Sequence, residues 1–154
     1  MEHTFAIQKN LGILDGGILM ECCESAYIAG IIDGEGSISL TRMHEREHRR
    51  PCISIASTDK ELLIYIQSLS GGTINNKKNY NPHKHKDSFT LNIKNKEAVI
   101  SLLRYISPFL RVDKKRNRAQ WILKKYEEVT PRNGKYNLES LEKKLAFEEN
   151  FFRI

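Results

Sequence analysis

Apolar residues recur at two different periods along this chain, and the alternation between them lays out its elements. From Glu24 to Asp33 the stretch ESAYIAGIID carries them at helical spacing. The helix is predicted to begin near Cys23 or Glu24. It should stop at Asp33-Gly34-Glu35-Gly36, where two glycines release the chain from helical dihedrals. The period then falls to two. In SISLTR, Ile38 and Leu40 alternate with Ser37, Ser39 and Thr41, and PCISIAS repeats the alternation with Ile53 and Ile55, which marks a pair of half-buried strands. STDKELLIYIQSL returns to helical spacing at Leu62, Leu63 and Ile66, behind a cap at Thr58 or Asp59. GGTINNKKNY and DSFTLNI are predicted as a second strand pair, the latter alternating Phe89, Leu91 and Ile93 with Ser88, Thr90 and Asn92. KNKEAVISLLRYISPFL is helical up to Ser107, where Pro108 ends it. Further helices are expected from Arg116 to Val129 and from Asn137 to Phe152, parted by a turn at Pro131, Asn133 and Gly134.

Helix, hairpin, helix, hairpin, helix is an α+β order. Two hairpins make one four-stranded antiparallel sheet with the helices on one face. Residues 22–130 are expected to form this core and 131–154 a helical extension. Residues 1–21, with three glycines and a weak apolar pattern, are expected to be a peripheral leader. The outer face of the sheet is polar: Ser37, Ser39, Thr41, Ser54, Thr73, Asn75, Lys77, Ser88, Thr90 and Asn92.

Composition changes the picture in one direction. Lysine and arginine number 25 against 19 acids, a formal charge of +6, which favours a polyanionic partner. No stretch approaches the roughly 20 apolar residues of a membrane span. The first residues lack the basic cluster and apolar run of a signal peptide. Three cysteines, two of them adjacent, make a poor disulfide framework and lack zinc-ligand spacing. These features predict an intracellular protein, in a bacterial cytoplasm or in an organelle such as a chloroplast or mitochondrion.

The chemistry concentrates at the end of the first helix. Ala26, Gly30 and Gly34 lie four apart, on one stripe, and small residues at that spacing let two helix backbones approach closely. An isolated stripe of this kind more often packs on its own core. The acid that follows tips the balance. Glu35 is expected just past the helix C-terminus, where the macrodipole disfavours negative charge. If two such helices pair about a two-fold axis, two carboxylates meet, and like charges that close need a cation. Mg²⁺ suits one or two carboxylates plus phosphate oxygens and water. The carbonyl of Gly34 is a second candidate ligand. Asp33 is read as holding the helix end by hydrogen bonding to backbone, in preference to metal ligation.

Residues 28–36, IAGIIDGEG, match the nine letters of the LAGLIDADG motif at Ala29, Gly30, Ile32, Asp33 and Gly36, with conservative replacements elsewhere. The chain resembles the single-motif LAGLIDADG homing endonucleases. The resemblance continues, more weakly, through the strand–helix–strand order to about Val129. It implies an αββαββα fold whose four-stranded sheet binds DNA, with Glu35 as metal ligand. It also implies an active-site lysine at Lys114 or Lys115, and a polar residue near the end of the second strand at Ser57 or Thr58. The family often has glutamine at that last position, and for Thr58 a plain helix cap is an equal reading. The implied dimer interface comprises Ala26, Ala29, Gly30, Asp33 and Gly34. Mg²⁺ is the expected cofactor, with Mn²⁺ as a substitute and Ca²⁺ binding without efficient cleavage.

Three basic stretches border the polar sheet: RMHEREHRR at 42–50, KKNYNPHKHK at 77–86 and RVDKKRNR at 111–118. Each alone would be a solvated loop. Together, two of them at the hairpin tips, they are read as phosphate clamps around a groove-reading surface. Arg42, Arg46, Arg49, Arg50, Lys78, Lys84 and Lys86 are assigned to phosphates. Ser37, Ser39, Thr41, Ser54, Asn75, Lys77, Thr90 and Asn92 are assigned to bases. A zinc site at His44 and His48, or at His83 and His85, ranks well below this, because no cysteine or acid stands at suitable spacing. The expected partners are a partly palindromic double-stranded DNA site and a second copy of the chain. Two readings compete with cleavage: an RNA-splicing maturase and a DNA-binding regulator of the same fold.

Overall fold

The structure is a computed structural model that describes residues 20–154; the expected leader lies almost wholly outside the described residues. Seven elements follow the predicted αββαββα order: α1 (Cys22–Glu35), β1 (Gly36–Thr41), β2 (Arg50–Ser57), α2 (Lys60–Ser70), β3 (Thr73–Asn76), β4 (Phe89–Ile93) and α3 (Lys96–Ile106). A 3₁₀ turn, Ser107–Phe109, leads to α4 (Asp113–Lys125), and α5 (Leu138–Arg153) closes the chain. The strands form one antiparallel sheet in the order β1-β2-β4-β3.

The period-two pattern holds in the register. Ile38, Ile53 and Ile93 lie in one row across the sheet, and Ile55, Leu91 and Ile74 in another. All but Ile74 are fully or almost fully buried. They meet Ile28, Ala29 and Ile32 of α1, Leu63 and Ile66 of α2, and Val99, Leu103 and Ile106 of α3 in one hydrophobic core. Each such side chain stabilises the fold by roughly 1.5–3 kcal/mol when fully buried. Two glycines are needed where backbones come close. A Cβ on Gly72, whose φ is +99°, would meet the Asn92 carbonyl at 2.7 Å. A Cβ on Gly36 would meet Ile32 Cα at 2.8 Å, so only glycine lets the chain turn from α1 straight into β1.

The helix ends differ from the prediction at several places. α1 does not stop at Asp33: it continues through Gly34 to Glu35, and Gly36 leaves it in extended conformation. Glycine permits a break but does not force one when carbonyls find donors. Lys115 supplies one by donating to the carbonyls of Ile32 and Asp33, each at 2.7 Å. α4 begins at Asp113, three residues earlier than predicted, and ends at Lys125.

The extension is part of the same core. Phe147 and Phe151 of α5 are buried with Tyr126 and Ile122 of the α4 region, and Trp121 Nε1 donates to the Phe147 carbonyl at 3.2 Å. Lys144 is 1% exposed, donates to Thr130 Oγ1 at 3.1 Å, and lies 4.4 Å from the Tyr126 ring centre. Burial pushes its pKa down from 10.5 to about 8, against the pull of Glu148. Between these two values the unfolded chain holds a proton that the folded chain has given up, so stability should rise as pH climbs from about 8 towards 10.5. Lys144→Met keeps the packing and removes the buried charge. We expect it to raise stability near neutral pH by about 1–3 kcal/mol and to flatten that pH dependence. Thermal melts of both proteins between pH 7 and 10.5 check this.

Candidate nucleic-acid interface and metal centre

The α1–β1 junction gathers the chemistry the motif promised. Asp33 is a clamp: its carboxylate accepts from the backbone amides of Arg111 and Val112, at 2.7 and 3.3 Å. It therefore ties α1 to the start of α4, the backbone-holding role expected of it, and its carboxylate is engaged within its own chain. Of the two lysines, Lys115 reaches the motif through the contacts above, whereas Lys114 is exposed. Lys115 compensates the negative end of the α1 dipole, one turn from Glu35.

Glu35 is the exposed last residue of α1. No hydrogen bond or ion pair among the described residues engages its carboxylate, which leaves it available to a ligand. Among the described residues no group of three or more His, Cys, Asp or Glu could hold a metal ion. One hard oxygen donor per chain still suits Mg²⁺, which is commonly held by one or two carboxylates plus phosphate oxygens and water. Gly36 pairs with Ile55, so the end of β2, with Ser57, lies beside the end of α1. The cap of α2 is Asp59; Ser57 Oγ accepts from its amide at 3.0 Å, and Thr58 is exposed.

Ala26, Gly30 and Gly34 lie exposed along α1. A Cβ on either glycine would meet nothing within 4 Å among the described residues. Among the described residues, packing therefore does not require glycine at these positions. Ala29 must be corrected. It is 0% exposed, turned about 100° from Gly30 into the protomer's own core, and offers a partner no surface.

The outer sheet face carries the polar set, with refinements. Ser37, Ser54, Asn92 and Thr73 form one row across the strands; Ala56, Thr90 and Asn75 form the next. Ser54 Oγ donates to Asn92 Oδ1 at 3.0 Å, so these two already pair with each other. The Thr90 hydroxyl is buried without a partner, a poor position for touching a base. Cys52 lies opposite Ser39 and is covered; burial pushes its thiol pKa up, with Lys94 opposing. Lys94 thus brings a cation beside this face that the sequence analysis did not single out. The available signal was its parity with Thr90 and Asn92.

The basic loops divide. Arg42, Arg46, Lys77, Lys78, Lys84 and Lys86 are exposed. Asn79 organises the second loop, its amide donating to the His85 carbonyl and to Asp87. Arg50 is exposed and pairs with Glu47 at 3.3 Å. Arg49 differs from these: its side chain, 35% exposed, lies 3.6 Å from the Glu148 carboxylate and 4.9 Å from the Phe152 ring centre, packed against α5.

Residues 23–107 match the LAGLIDADG-like domain family, 85 of the 154 residues. The chain belongs to that family. No curated protein sequence matches it. Solved structures share its fold at low identity. The homing endonuclease I-CvuI, in complex with its target in the presence of Ca, is 18% identical over 86% of this chain and 82% of that one, with a TM-score of 0.67. The archaeal intron-encoded homing endonuclease I-Vdi141I, complexed with DNA, is 18% identical over 85% and 83%, at 0.56. I-SmaMI, bound to uncleaved DNA in the presence of calcium ions, is 19% identical over 84% of this chain but 45% of its own, at 0.60. The LAGLIDADG fold is therefore present here, with Glu35 in the motif's final acidic position and Lys115 capping its helix.

Proposed function

We propose that this protein is a site-specific double-stranded DNA endonuclease of the homing type, active as a homodimer with Mg²⁺. The observation that carries the reading is the exposed Glu35 carboxylate, unengaged among the described residues, at the end of a helix whose glycine stripe meets nothing among them. Pairing along that stripe brings two copies of Glu35 together beside two polar sheets. I-SmaMI, matched over less than half its own length, is long enough to hold two such units in one chain. Two copies of this chain make the equivalent pair.

Glu35, with the Gly34 carbonyl as a second donor, would hold the metal against a phosphate. When bound, Mg²⁺ activates a water and neutralises charge on the leaving oxygen. Lys115 and Asp33 keep the helix end in place, while the sheet faces the major groove, which admits a two-stranded ribbon. Mn²⁺ should substitute for Mg²⁺. Ca²⁺ should support binding with little cutting, in keeping with the uncleaved DNA held by I-SmaMI beside calcium.

The test is incubation with a randomised DNA library, with and without Mg²⁺, followed by sequencing of the ends produced. Cuts at one partly palindromic sequence, only with metal, are the expected result. Selective binding without cuts would instead favour a regulator. Substitutions should then separate the two contact classes. Neutralising Arg42, Arg46, Lys84 or Lys86 should weaken all sequences alike and lower the salt slope by about one per side chain. Replacing Ser39 or Asn75 should shift base preference at one position, by about 1–3 kcal/mol. Selection profiles and salt titrations of the same variants check both.

A further inference from the structure

α5 lies outside the matched domain, yet it grips the tip of the first hairpin. Glu148 is 8% exposed and accepts from the Arg49 backbone amide at 3.0 Å while pairing with its guanidinium at 3.6 Å. That guanidinium rests over Phe152, and the His48 ring meets Tyr136 at a tilt of 59° with ring centres 4.5 Å apart. A surface hairpin tip is ordinarily mobile. Here the last residues before β2 are held by one buried carboxylate and an aromatic platform, both from α5.

We propose that Glu148 is a positioning residue for DNA recognition: by fixing Arg49 it sets the angle at which the 42–50 tip meets the DNA. This inference rests on the endonuclease reading for its second half. The six residues of β1 carry the chain roughly 20 Å away from Glu35. The tip therefore faces the outer base pairs of each half-site, and the clamp governs those positions in particular. Arg49 acts through the fold and not as a phosphate contact.

Two measurements test this on the full chain. In the free protein, Glu148→Ala should speed hydrogen exchange at the Arg49 amide about tenfold or more, and Glu148→Gln, which keeps an acceptor, should restore much of the protection. Phe152→Ala removes the platform from a half-exposed position outside the core, and should speed exchange in the same segment. In library selection by DNA binding with Ca²⁺, Glu148→Ala should reduce preference at the outer positions from about tenfold or more to under about threefold. Inner positions should stay as in the wild type. Arg49→Ala should give the same profile, and the double variant should be no worse than either.

Unchanged Arg49 exchange in both Glu148→Ala and Phe152→Ala would overturn the clamp. An Arg49→Ala variant that binds all sequences uniformly more weakly, with a reduced salt slope, would make Arg49 a phosphate contact and overturn the positioning role. A wild type that enriches no sequence would instead overturn the endonuclease reading and the recognition half with it, while the exchange result would still decide the clamp.

Discussion

Glu35→Gln should abolish cleavage and leave DNA binding intact or tighter. The carboxylate is on the exposed last residue of α1 and engages nothing among the described residues, so the fold loses little when its charge is removed. Gln keeps the size and a neutral acceptor oxygen but loses the negative charge that draws a divalent cation to the site. Metal contributes several kcal/mol to the transition state, so a rate loss on the order of 10³-fold or more is expected. Binding should not fall, because each copy takes one negative charge off a surface facing a polyanion. A nicking assay beside a gel shift on one DNA reads both quantities. Cleavage at the wild-type rate would remove Glu35 from the mechanism. Loss of binding together with cleavage would assign it to the helix end.

Gly30→Leu should separate the dimer without unfolding the protomer. A Cβ at Gly30 meets nothing within 4 Å among the described residues, so leucine has room there. Glycine in a helix interior costs roughly 0.5–1 kcal/mol relative to alanine, so the protomer should melt slightly higher, not lower. Between two helices in backbone contact the same side chain has no room. Dimer affinity should fall by about 100-fold or more, since overpacking a close interface costs a few kcal/mol from each copy. Sedimentation and thermal melting of wild type and variant separate the two effects. A variant that stays dimeric would place the interface elsewhere; one that unfolds would return the stripe to the protomer's own core.

The order of elements and the polar face of the sheet were legible from sequence, because both depend on local periodicity. Ile38 and Leu40 against Ser37 and Ser39 specify a face without reference to any other segment. So did the motif, whose residues are contiguous. Helix boundaries were less accessible. Gly34 and Glu35 remain helical because Lys115, 82 residues away from Asp33, satisfies carbonyls that would otherwise end the helix. Ala29 and Gly30 are adjacent small residues, and only the packing of α1 on the sheet shows that the first is buried and the second exposed. Periodicity likewise could not separate the basic side chains that face solvent from Arg49, which is held by Glu148, 99 residues downstream of its backbone amide. The sequence by itself determined the α+β order, the polar face of the sheet and the carboxylate at its edge. Which lysine meets that carboxylate's helix, which small residues remain free for a partner, and which arginine serves the fold were decided by tertiary structure, because each depends on contacts between segments whose spacing along the chain carries no signal.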